Sequence, residues 1–279
     1  MLLADSLAID GHHGPLLRPT SLAAPAAELT VVSAPTQEAR TALALGLSAR
    51  MKSDGGSVAW DSEAGPHAVR RVSALVDSPE INEPERHLRV KDLVAEDLAL
   101  QPGPFWATVS ASRWLESHRL EHLARDWVDA IPAEDRLHLL AALSLQDSNV
   151  KVLVFDSPDR HGLPDADWLR ILADVAGGRR HPAVIAVVQR IPDAWDGRTA
   201  VAETDNLPHG FTALTGLTGS AEVDGEGRED ESRDDEGDPG QQHDGENQDE
   251  DQDENRGGSE ARPATTAHST ADSESETTA

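Results

Sequence analysis

Cysteine and tyrosine are absent from the 279 residues, and lysine occurs only at Lys52, Lys91 and Lys151. Without cysteine there is no disulfide framework, no thiolate zinc site and no cysteine nucleophile. No apolar run approaches the roughly 18 residues that a membrane-crossing helix requires. The start, Met1-Leu2-Leu3-Ala4-Asp5, lacks the basic segment and long apolar core of a secretory signal, so the expected location is the cytoplasm. Basic charge is scarce as well: 24 Lys and Arg stand against 51 Asp and Glu, a formal charge of −27. This disfavours nucleic acid and anionic lipid as direct partners, because neutralising phosphates takes clustered cations.

What is present divides the chain in two. Residues 221–279 hold 21 acids and 4 bases, a net of −17, which leaves −10 for residues 1–220. From residue 219 on, the mixture of Asp, Glu, Gly, Gln and Asn, followed by Ser, Thr and Ala, cannot repay the entropy of folding, so 219–279 is expected to be a disordered acidic tail. Such a tail either solubilises the chain or serves as an arm for a basic partner. Residues 1–218 are long enough for one core. Short β-branched runs alternate there with helical stretches, which is the pattern of an α/β fold. Strands are predicted at 29–33, 57–60, 150–156 and 183–189, with a helix over 38–51. The runs at 150–156 and 183–189 are nearly all apolar, as parallel strands covered on both faces must be. Residues 90–145 read as a mostly helical insertion, broken near Pro102-Gly103-Pro104 and at Ile131-Pro132.

The first of these strands runs into Ala34-Pro35-Thr36-Gln37-Glu38-Ala39-Arg40-Thr41-Ala42-Leu43 and then a helix. A phosphate-binding loop occupies that place in many α/β proteins. It needs glycines so that successive N–H groups can turn inward, then a Lys and a Ser or Thr for phosphate and Mg²⁺. Further on come Lys52-Ser53-Asp54-Gly55-Gly56-Ser57-Val58-Ala59-Trp60-Asp61 and Val152-Leu153-Val154-Phe155-Asp156-Ser157-Pro158-Asp159-Arg160-His161-Gly162-Leu163-Pro164-Asp165. In this order, over roughly residues 3–210, the chain resembles the nucleotide-binding domain of ABC transporters, within the P-loop NTPase superfamily. The three segments stand where that family has G-P-N-G-S-G-K-S-T-L, P-D-S-G-T-V-x-W-D-G and the Walker B strand with D-E-P-T-x-G-L-D. The resemblance implies a mostly parallel sheet, a small antiparallel β subdomain and a helical insertion.

It also implies roles by position. Residues 34–42 would cradle the phosphates of ATP. Thr41, Asp156 and, at the Q-loop position, Asp77 would hold Mg²⁺. Ser157 stands at the catalytic glutamate and Arg190 at the switch histidine. The departures fall on working groups. Ala34, Gln37 and Ala39 replace loop glycines that tolerate positive φ. Arg40 replaces a compact ammonium with a broad planar fork. A serine cannot orient and deprotonate water as a carboxylate does. Ile131-Pro132-Ala133-Glu134-Asp135-Arg136 stands where L-S-G-G-Q/E-R is expected, and no Tyr exists to stack on adenine, leaving His12 or His13. The expectation is an ATP-binding subunit of an ABC-type transporter with weak or absent hydrolysis, acting as a partner or scaffold subunit peripheral to the inner face of the cell membrane. Its expected partners are an integral membrane permease and an ABC-type ATPase as heterodimer partner. Two other readings stay open: an active ATPase using an acid such as Asp159 as base, and a soluble adaptor acting through the acidic tail.

Other features have plainer readings. His118 and His122 have a metal-compatible spacing, but Arg119 stands where a zinc protease carries its Glu, and an exposed helix face accounts for them. Asp156, Asp159, Asp165 and Asp167 lack the spacing of a calcium loop, and a helix start near Asp165 accounts for the latter pair. Arg179-Arg180-His181 reads as a basic spot at a helix C-terminus. The six Trp read as core or interface anchors. Trp106 and Trp114 fall in the helical insertion, the region that by resemblance receives a membrane partner, where an exposed aromatic would suit docking. Abundant Ala, Asp and Arg with scarce Lys resembles the coding of a GC-rich bacterial genome.

Overall fold

The structure is a computed structural model and describes residues 1–101 and 109–208. The acidic tail, the predicted break at Pro102-Gly103-Pro104 and Trp106 lie outside the described residues. The chain opens with two long strands, β1 (Leu2–Gly11) and β2 (Gly14–Ala24), joined by a tight turn at His12-His13. Then come β3 (Leu29–Ser33), α1 (Gln37–Leu47), β4 (Gly55–Trp60), β5 (Glu63–Ala64), α2 (Pro66–Val72) and β6 (Ser73–Val76). The helical insertion contributes α3 (Val90–Leu100), α4 (Ala111–Ser117) and α5 (Ala133–Ser144). The chain returns through β7 (Val152–Asp156), α6 (Asp165–Ala176), β8 (Ala183–Val188) and β9 (Arg198–Val201).

Two sheets result. β1, β2, β4 and β5 form an antiparallel sheet in the order β2-β1-β4-β5, and the remaining strands form a parallel sheet in the order β6-β7-β8-β3-β9. Every residue of β7 and β8 is buried, because helices or the second sheet cover both faces. One face packs on α1 and the antiparallel sheet, with Leu43, Leu47, Val154 and Ile185 at its centre. The other packs on α5 and α6 through Phe155, Trp168 and Leu172. A third cluster, around Val94, Trp114 and Leu139, belongs to the helical insertion.

Local chemistry sets the ends of these elements. Thr36 caps α1 by accepting from the Ala39 amide, and Asp165 and Asp167 place negative charge in the first turn of α6. The bulge of β1 between Asp5 and Ala8 presses on Gly56, which sits at φ +70°; a Cβ there would lie 2.2 Å from the Asp5 carbonyl oxygen. The helix predicted over 38–51 starts one residue earlier and stops at Leu47. The strand predicted at 150–156 starts at Val152, and that at 183–189 stops at Val188. The basic spot at 179–181 does more than complement a nearby helix end. Arg180 donates to the Leu145, Asp147 and Val150 carbonyls, closing the C-terminus of α5 and the turn after it. Trp114 is 2% exposed, donates to Gln146 at 2.6 Å and stacks on His118, so it anchors the insertion's core instead of a partner.

Candidate functional site

The parallel strands end together, and the loops beyond their C-terminal ends gather the polar residues, the usual place for a site in such a sheet. From β3 the chain passes through Ala34, Pro35 and Thr36 into α1, and from β7 it delivers Asp156 and Ser157. The loop after β6 delivers Asp77 and Ser78.

Asp156 is 1% exposed and accepts four hydrogen bonds. Oδ2 accepts from Thr41 Oγ1 at 2.8 Å and from Ser78 Oγ at 2.7 Å; Oδ1 accepts from Ser157 Oγ at 2.9 Å and from Gln37 Nε2 at 3.3 Å. The carboxylate's lone-pair directions are thereby used within the chain. Arg40 turns back over the loop. Its Nε donates to Ser157 Oγ at 3.0 Å, Nη2 to Gln37 Oε1 at 2.8 Å, and Nη1 to the Ala34 and Pro35 carbonyls at 3.2 and 3.4 Å. The backbone tightens with it: α1 begins at Gln37, and the Ala39 and Arg40 amides are bonded to Thr36 Oγ1 and the Thr36 carbonyl. Ser157 holds a left-handed conformation at φ 56° and is 1% exposed, while Glu38 lies exposed in the first turn of α1.

Asp77 has a different set of neighbours. It is 4% exposed, and its carboxylate meets Arg136 Nη2 at 2.8 Å, Arg160 Nη2 at 3.1 Å and His161 Nε2 at 2.6 Å. Burial alone opposes its charge. The hydrogen bonds from His161 and Arg136, with the charges of Arg136 and Arg160, outweigh burial and hold the carboxyl well below the usual range. Arg160 also donates to the Asp77 and Asp156 carbonyls at 2.6 and 2.9 Å, tying the two loops together. The structure thus brings Gln37, Arg40, Thr41, Asp156 and Ser157 into one network. From the Q-loop position it is the hydroxyl of Ser78 that reaches Asp156, while the Asp77 carboxylate faces Arg136 and the turn after β7.

Two further positions stand apart. Arg190 follows β8 and pairs with Asp165 at 3.1 Å on the surface. Pro132 precedes α5, Glu134 meets Arg170 at 3.3 Å, and Arg136 at the end of that motif is the residue turned inward to Asp77. His118 bonds its own turn at the Trp114 carbonyl while His122 lies near Asp135. Among the described residues, no group of three or more His, Asp or Glu is placed to hold a metal. Ser78, Arg160 and His161 went unmarked in the sequence as site residues. Their partners lie 78, 83 and 84 positions away, and no local pattern reports such contacts. Between β6 and α3 lies a cleft of about 400 Å³ whose walls include Arg50, Arg70, Asp97 and Leu100. Burial raises the Asp97 carboxyl despite its bond from Gln101, and burial, then the nearby Arg70 charge, lowers Arg50.

In the parallel sheet β8 separates the strand leading to the loop at 34–42 from the strand ending in Asp156. With the added antiparallel sheet and helical insertion, this is the fold of the ABC transporter ATP-binding cassettes. Solved cassettes match along most of their length. The cassette MJ0796, solved as a dimer, shares 15% identity with a TM-score of 0.54, over 68% of this chain and 88% of that one. MJ1267 shares 14% identity with a TM-score of 0.56, over 72% and 87%. cbiO1 from Clostridium perfringens, part of the ABC transporter complex cbiONQ, shares 14% with a TM-score of 0.50, over 68% and 78%. No family model and no curated protein matches the sequence. Among the described residues, no helix is long and apolar enough to cross a membrane.

Proposed function

We propose that the chain is a non-catalytic ABC-type subunit that works by shape, joined to an integral membrane permease and paired with an ABC-type ATPase subunit that supplies the chemistry. The observation that carries this reading is the Arg40 guanidinium, bonded at once to Ser157, Gln37 and the Ala34 and Pro35 carbonyls. A working loop of this kind presents N–H groups and an ammonium to phosphate. Here the cation is turned onto the loop's own carbonyls, α1 starts early enough to use the Ala39 and Arg40 amides, and Glu38 adds negative charge to the first turn of α1. The residues present do not fit a Mg–nucleotide. Thr41 and Asp156, the pair that would share the ion, are bonded directly to each other, and Asp156 has two further hydroxyl donors. Ser157 offers no carboxylate to a water.

The cassette fold supports this choice of partners. cbiO1 belongs to a multi-component transporter and MJ0796 is dimeric, and the cleft between β6 and α3, lined by Arg50, Asp97 and Leu100 among others, offers a permease segment mixed polar and apolar contacts. Calorimetric titration of ATP into the full chain, with and without Mg²⁺, tests the reading. No heat is expected up to about 1 mM ATP, a limit near −4 kcal/mol of binding free energy. The double change Gln37→Gly with Arg40→Lys should gain binding. Micromolar ATP binding by the unaltered chain, lost in Asp156→Asn, would overturn the proposal and restore an ATP-binding subunit.

A further inference from the structure

A second depression lies where the C-terminal end of α1 meets β1, β4 and α2. Its volume is about 240 Å³, and its walls include Leu7, Met51, Val58 and Pro66, with Lys52 and Arg70 as their charged members. None of its lining residues belongs to the Asp156 network, and Arg70 is the one residue it shares with the cleft beside β6. Its charge is what sets it apart. In a chain with 51 acids and 24 bases, this lining holds two cations and no carboxylate, whereas the cleft beside β6 includes Asp77, Asp97 and Asp147. Among the described residues Lys52 has no ion-pair or hydrogen-bond partner. Its neighbour Asp54 is turned away to accept from the Asp10 amide at 2.8 Å.

The donors present also define the ligand. Arg70 spends Nε and one Nη2 hydrogen on the Ala49 carbonyl, at 2.9 and 2.6 Å, which fixes the guanidinium and leaves its Nη1–Nη2 edge free. That edge is a planar fork that fits the two oxygens of a carboxylate. One point charge at Lys52 and one remaining edge at Arg70 suit a singly charged carboxylate. The apolar walls suit a hydrocarbon attached to it. The volume lies just under the roughly 300 Å³ at which drug-sized sites begin, so the ligand is small.

We infer that this pocket binds a small amphipathic carboxylate, with its chain against Leu7, Met51, Val58 and Pro66 and its carboxylate at Lys52 and Arg70. The test is calorimetric titration of octanoate into the full chain, alongside 1-octanol and inorganic phosphate, and repeated with Lys52→Gln. Lys52 holds no hydrogen bond or ion pair among the described residues, so the variant should fold, and an unchanged melting curve confirms it. Octanoate is expected to bind near 0.1 mM, with Lys52→Gln and 1-octanol each weaker by about tenfold and phosphate silent. Absence of octanoate binding up to about 10 mM would overturn the assignment. So would equal affinities for octanoate and octanol with no effect of Lys52→Gln, since the apolar walls alone would then account for binding. Phosphate binding as tightly as octanoate would equally refute it.

Discussion

At Asp77, the cost of taking a carboxylate out of water is met by Arg136 from the helical insertion and by Arg160 and His161 from the turn after β7. A buried ion pair of this kind is weak evidence of net stability, but removing one member strands the others. Asp77→Asn leaves Arg136, itself 11% exposed, without its counter-charge, and is expected to cost about 3–5 kcal/mol in urea unfolding at pH 7. The pH dependence follows from the direction of the shift. Because the folded carboxyl titrates below its unfolded value of about 3.9, its contribution is complete above that pH and is lost as pH falls toward the folded value. The unaltered chain should therefore lose more stability than Asp77→Asn between pH 6 and pH 3. Parallel acid limbs in the two unfolding curves would show that Asp77 does not carry the charge assigned to it.

Elements reveal how much of this was legible in the sequence. β7 and β8 are readable because burial on both faces leaves no polar residue in Val152 to Phe155 or Ala183 to Val188. β1 and β2 are longer and yet escape, since their pairing is broken by irregularities between Ala4 and Asp10 that destroy the period of two. The site divides the same way. Arg40, Thr41, Asp156 and Ser157 are marked by the resemblance at two strand ends, whereas the closure of the network depends on where those ends lie in three dimensions. Edge strand β6 is another case of chemistry that spacing does not show. Its outward carbonyls at Ser73 and Leu75 are taken by Arg50 at 3.0 Å and Asn82 at 2.8 Å, and Asn82 also accepts from the Ser78 amide at 2.8 Å. These side chains stand where a further strand would otherwise pair. Asn82→Ala removes two such bonds and should cost about 1–3 kcal/mol. Light scattering of the heated variant should also rise sooner than that of the unaltered chain, and identical scattering would mean that the edge is protected by other means.

For the whole molecule, the closed network predicts thermal behaviour that an assay of turnover would not reveal. A ligand that binds only the native state stabilises it by RT ln(1 + [L]/Kd), about 2.7 kcal/mol at a hundredfold excess over Kd. For a fold of this size each kcal/mol moves the melting temperature by about 2–4 °C. A cassette with a working nucleotide site would therefore melt several degrees higher in millimolar MgATP. Here Arg40 would first have to give up four hydrogen bonds, two of them to backbone carbonyls, and Asp156 would have to release the Thr41 and Ser78 hydroxyls. Those losses offset whatever the phosphates bring, so about 5 mM MgATP is expected to shift the midpoint by less than about 1 °C. The Gln37→Gly and Arg40→Lys double variant should start from a lower midpoint, having lost the internal bonds, and should rise with MgATP. If the unaltered chain rises by several degrees and Asp156→Asn does not, the network opens to nucleotide and the chain binds MgATP.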